Sequence, residues 1–227
     1  MTKSPEDIFK FLPLKYASSS ESDYVAFWWN AYLKNLEWGN YHLSFLAFHM
    51  LYMTGVYFLL YKISKIYRLT YEHSLFHLHN DDETHYRGIN SPFSFVNMNE
   101  KGVFRFLKIA GADHNFIGEV SKFIEDRNNA SHAKGLIYFD EDPYGLEKKV
   151  FDYVDALESI QNLFINEAKK VSETWKISKL NESDIYLFIE SEIKIHNLTP
   201  AEINVIAKDE KLKRPKLYKV LNKLVGN

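Results

Sequence analysis

From Trp38 to Tyr61 the chain carries no formally charged side chain, and this run constrains the fold more than any other feature. An uncharged apolar stretch of about 18 or more residues is long enough to cross a bilayer. Asn40, His42, Ser44, His49 and Thr54 nevertheless lie inside it, each costly in hydrocarbon and each ordinary in the interior of a large helical bundle. The run is therefore expected to be a buried core helix, and a membrane is not an expected partner.

A helix of that kind needs apolar neighbours, and the chain has them. Of its 227 residues 46% are hydrophobic and 26% charged, the balance of a globular chain with a sizeable core. Only 9 Gly and 6 Pro are present, too few for a turn-rich all-β design. An all-α bundle follows. The absence of Cys excludes a disulfide framework, a thiolate zinc site and a Cys nucleophile, and favours a reducing compartment. The opening "MTKSPEDIFKFLPLKY" places charges where the apolar part of a secretory signal would lie, so the cytoplasm is the expected location. Net charge is −2, with no global attraction to nucleic acid, but residues 201–227 hold seven Lys or Arg and three acids. That basic end is either a solvated face or a phosphate contact.

Helical spacing organises the rest. Residues 1–20 form a polar N-terminal segment, and 23–38 and 40–67 read as two helices joined at Gly39. A polar loop spans 80–99, after which helical spacing resumes and stops at Gly111. Asp113 is a natural N-cap for a helix expected to end near Gly135. From Leu146 to Trp175, Val150, Val154, Leu157, Ile160, Phe164, Ala168 and Val171 keep a three-to-four spacing that predicts one long helix. Beyond 178 come a helix around "SDIYLFIESEIKI", another opened by Thr199, Pro200 and Glu202, and a short last one at "KLYKVLNKL". The expected organisation is a bundle over 21–178 with a small helical C-terminal extension over 179–227.

The helix beginning after Asp113 contains an anomaly. Its inward positions run Phe116, Val120, Phe123 and Ile124, and the next steps land on Arg127 and Asn128, then Ser131 and His132. The stripe turns polar without changing face. An imidazole titrates near neutrality, a guanidinium stays charged and holds two phosphate oxygens at once, and an amide can position either. The trio suits attack of an RNA 2′-hydroxyl on its neighbouring phosphate, with His132 moving the proton and Arg127 stabilising the five-coordinate phosphorus. Such a reaction needs no metal.

"RNNASH", Arg127 to His132, resembles the signature of the HEPN superfamily of ribonucleases, in which Arg is followed by a polar residue and, four to six residues on, by His. The resemblance implies an all-α HEPN-like bundle and a homodimer, in which two motif helices face one another across a two-fold axis and form a composite site. It implies metal-independent endoribonuclease activity leaving a 2′,3′-cyclic phosphate and a 5′-hydroxyl, with no cofactor. The setting it suggests is a toxin–antitoxin or phage-defence system, with an antitoxin or other defence component as a partner. The alternative is a non-catalytic HEPN-like module that uses the same polar face to bind RNA or protein. A second Arg–His pair at the same spacing, "RLTYEH" from Arg68, has Leu69 after the Arg and sits where an apolar helix ends, which leaves 127–132 as the candidate.

Lys134, just beyond the motif, is a candidate RNA contact. Glu125 and Asp126 read as helix-surface charge or as partners for Arg127 or Lys134. His73, His77, His79, Asp81, Asp82 and His85 carry ligand-type side chains without a telling spacing, so no metal site is assigned. The aromatic stretch "YVAFWWNAYLKNLEW" is better explained by burial than by base stacking, and the C-terminal helix–turn–helix rhythm by a bundle extension than by DNA reading.

Overall fold

In the computed structural model, which describes residues 3–132, 139 and 142–226, every regular element is a helix and no strand occurs among the described residues. Gly39, at a left-handed φ of +71°, turns the corner between α1 (Ser19–Glu37) and α2 (Tyr41–Ile66). Glycine enters that region without a Cβ penalty. The two helices pack along each other, and α2 becomes the central rod of the bundle. It is long and apolar enough to cross a membrane, and 83% of its most apolar window is buried inside the protein.

Short elements close one side of α2. These are α3 (Arg68–Ser74), a 3-10 turn at Leu75–His77, α4 (Asn80–Arg87), a 3-10 turn at Pro92–Asn97 and α5 (Glu100–Val103). The span 80–99, expected as loop, thus contains a helix and a turn: Asp81, Asp82 and Glu83 occupy the first turn of α4 and suit its positive end. A longer 3-10 stretch, Phe104–Ala110, follows and ends at Gly111 with φ +96°. Asp113 caps α6 (His114–Ser131), its carboxylate accepting the Phe116 N–H at 2.8 Å.

The long helix expected over 146–175 is two helices, α7 (Pro143–Asn162) and α8 (Ile165–Glu173). Its apolar stripe is continuous in sequence but serves two cores. Phe164 closes the main core around α2, whereas Ala168 belongs to a second core shared with Trp175, Ile189, Ile206 and Leu221. A break at 163–164 lets one stripe face both. The second core is completed by α9 (Glu182–Ile195), α10 (Pro200–Lys213) and α11 (Pro215–Leu224), and it begins ahead of the expected boundary at 178 because α8 packs on α10. The N-terminal segment, polar in overall composition, lays Ile8, Phe11 and Leu12 into the main core.

Two buried contacts weld the cores together. Lys62 of α2 donates to both oxygens of Glu202 on α10 at 2.6–2.7 Å, and neither side chain is more than 4% exposed. The Thr199 hydroxyl, which caps α10 in a reciprocal box with Glu202, also bonds Gln161 of α7 at 3.2 Å.

Candidate functional site

On α6 the apolar stripe runs into the main core as expected. Val120 and Ile124 are buried, and the Phe123 ring lies 4.6 Å from Tyr153 and 5.5 Å from Tyr52. One step on, Arg127 follows the same face inward. Its side chain is 25% exposed, and its Nη2 is ion-paired with the carboxylate of Glu100, on α5. Together with Asn128, Ile124, Asn99 and Met98 these two residues line a cleft of about 540 Å³ between α6 and α5.

Glu100 stands on a chain of buried polar groups. Its carboxylate lies 3.9 Å from Nε2 of His49, a wholly buried residue of α2. His49 Nδ1 is 2.8 Å from the hydroxyl of Tyr153 on α7. Burial pushes the Tyr153 phenol well above its ordinary range, so the hydroxyl keeps its proton and donates it to Nδ1. That assigns the remaining imidazole proton to Nε2, on the Glu100 side. Burial also holds His49 below the usual histidine value, against the opposing pull of Glu100. Burial alone would push the Glu100 carboxyl up, but the His49 and Arg127 hydrogen bonds and charges win and hold it below the ordinary glutamate value. An ionised carboxylate between a neutral imidazole and a guanidinium results.

Three polar atoms at this place are buried with no hydrogen-bond partner: Arg127 Nε, His49 Nε2 and the Tyr52 hydroxyl. Buried polar groups are normally satisfied, and exceptions gather where function demands them. Arg127 thus has one nitrogen committed to Glu100 and another, Nε, uncommitted.

His132 sits differently from the sequence expectation. The helix ends at Ser131 rather than near Gly135, and His132 is the C-cap residue, exposed and with extended backbone (φ −92°, ψ 147°). Asn128, Asn129 and Ser131 are weak helix formers, and the Ser131 hydroxyl reaches the Asn128 carbonyl at 3.5 Å. The His132 N–H still bonds the Asn128 carbonyl at 3.1 Å, which keeps it one turn beyond Asn128. No hydrogen bond or ion pair joins its side chain to Arg127. Lys134 lies outside the described residues.

Glu125 and Asp126 do not serve Arg127. They pair with Lys101 at 2.7 Å and with Lys149 at 2.8 Å. The true partner, Glu100, lies 27 positions earlier in the chain. Its available signal was the buried His49: an imidazole in an apolar helix requires a polar neighbour, and so does a stripe arginine. Among the described residues no group of three or more His, Asp or Glu side chains converges in a metal-holding arrangement.

No protein-family model, curated protein or solved structure matches the chain.

Proposed function

We propose that the protein is a metal-independent endoribonuclease of the HEPN type, acting as a homodimer in a bacterial toxin–antitoxin or phage-defence setting. The observation that carries the reading is Arg127, an arginine turned into a cleft beside Asn128 and clamped from behind by Glu100. A guanidinium held in this way is oriented before any phosphate arrives, and an oriented donor stabilises developing charge without reorganising. Arg127 binds and stabilises the scissile phosphate, Asn128 positions it, and His132, exposed one turn on, moves the proton between the 2′-hydroxyl and the leaving 5′-oxygen. One chain offers one such imidazole. Pairing two motif helices about a two-fold axis supplies both an acid and a base. Lys134 contacts a flanking phosphate.

The Glu100 ion pair also favours a second reading, a non-catalytic binding module in which a neutralised Arg127 serves the architecture of an interface. The two separate on RNA ends. Purified protein is incubated with total RNA and a transfer-RNA pool in excess EDTA, beside Arg127→Ala and His132→Ala, and product termini are mapped. The expected result is 2′,3′-cyclic phosphate ends from wild type, reduced by about 10²-fold or more in each variant. Equal cleavage by all three proteins sinks the assigned site.

A further inference from the structure

A second hollow, of about 610 Å³, adjoins the cleft and shares Met98 and Asn99 with it. Its apolar part includes the aromatic rings of Tyr86 and Phe106, both buried in the core. Arg105 and Lys108 stand at its edge on the 3-10 stretch Phe104–Ala110. Side chains three apart eclipse in a 3-10 helix, so these two cations share a face.

Their pairing sets them apart. The arginines at 68, 87, 127 and 214 are all engaged by carboxylates, whereas Arg105, exposed, has no ion pair among the described residues. The Lys108 ammonium has the His114 imidazole at 3.2 Å and no carboxylate. Across the hollow, Asp82 of α4 likewise engages neither a cation nor a hydrogen-bond donor among the described residues. Unpaired charges of both signs around an aromatic floor constrain the ligand. Inorganic phosphate would use the cations, ignore the rings and be repelled by Asp82. A purely apolar ligand would leave three charges idle.

We infer that this hollow binds a guanosine 5′-phosphate unit: the base lies against Tyr86 and Phe106, Asp82 accepts from its N1–H and N2–H, and Arg105 with Lys108 holds the phosphate. Guanine is the common nucleobase whose pairing edge offers two adjacent N–H donors to one carboxylate, and aromatic rings stack on any base. The volume is within the range of small-ligand sites. The same unit has two sources, a free guanine nucleotide or a guanosine within RNA lying across the adjoining cleft. The second source rests on the endoribonuclease reading; the first does not.

Calorimetric titration of the full chain with GMP, AMP, guanosine and inorganic phosphate tests the inference. GMP is expected to bind at least tenfold more tightly than the other three. Arg105→Ala weakens GMP about tenfold and leaves guanosine unchanged, and Asp82→Ala abolishes the preference for GMP over AMP. GMP no tighter than phosphate, or unaffected by Arg105→Ala, overturns the site. The source follows from a labelled single-stranded RNA containing one guanosine, bound to the Arg127→Ala protein so that cleavage does not intervene. Displacement by GMP assigns the site to RNA, and simultaneous binding assigns it to a free nucleotide. Because the titration reads binding alone, it succeeds or fails independently of nuclease activity.

Discussion

Glu100 holds the cleft together, and its charge is what makes it useful. Replacing it with Gln keeps the shape but exchanges a charge-assisted bond to Arg127 for a neutral one, a loss of about 1–3 kcal/mol. Since the folded-state carboxyl titrates below its ordinary value, the stability it contributes is fully present above the usual glutamate range, about pH 4.3. That contribution is lost as pH falls through the depressed folded value. Wild type is therefore expected to exceed Glu100→Gln in denaturation midpoint at pH 7, with the gap closing toward pH 3. A gap that stays constant over that interval contradicts the ion pair. His49 carries the same sign for a different reason: held neutral by burial, it lowers stability as pH drops below the ordinary histidine range. At this scale the sequence revealed one half of the site. Arg127, Asn128 and His132 were visible because they break an apolar stripe at helical spacing, a local signal. Glu100 and His49 were not, because their roles come from a contact between α2, α5 and α6 that no local pattern encodes.

Elements were legible where their signals are local and ambiguous where two cores compete for one stripe. Gly39, Gly111, Asp113 and the Thr199–Pro200–Glu202 start all stand where the backbone or cap requires them. The division of 143–173 into α7 and α8 escaped notice because a three-to-four spacing reports that a face is buried and never which core buries it. Gly55 shows the same limit. In the middle of α2 a glycine costs about 1 kcal/mol relative to alanine, and nothing in the sequence explains it. In the fold a Cβ at that position would stand 3.0 and 3.2 Å from the two terminal methyls of Leu157, itself wholly buried. The crossing of α2 and α7 depends on that missing methyl. Gly55→Ala is expected to be destabilising by about 1–2 kcal/mol, since overpacking outweighs the propensity gain. In a Leu157→Val background the same substitution becomes neutral or stabilising, and a double-mutant cycle by chemical denaturation measures the coupling. Stabilisation by Gly55→Ala in both backgrounds would mean that the crossing has room to spare.

For the whole molecule the question is whether two cores behave as one cooperative unit, and the answer lies in the Lys62–Glu202 pair. Composition and spacing suggested a bundle with an appended helical extension, because basic residues collect at the C-terminal end and charge patterns along a chain suggest separation. What they could not reveal is a lysine at the end of an apolar run reaching a helix-start glutamate 140 positions away. Both groups are almost fully buried, so each depends on the other to offset its desolvation. Lys62→Met strands the Glu202 charge and is expected to cost about 3–5 kcal/mol. Adding Glu202→Gln removes that stranded charge while keeping a side chain able to close the capping box with Thr199, since Glu and Gln serve that position alike. The double variant is therefore expected to recover most of the lost stability and to unfold in a single guanidinium transition, as wild type does. Hydrogen exchange adds the test of coupling: amides of α10 and α11 in wild type should open with those of α2, whereas in Lys62→Met they should open first. If α10 and α11 already exchange ahead of α2 in the wild-type chain, the pair fixes the position of the second core without making it part of one folding unit.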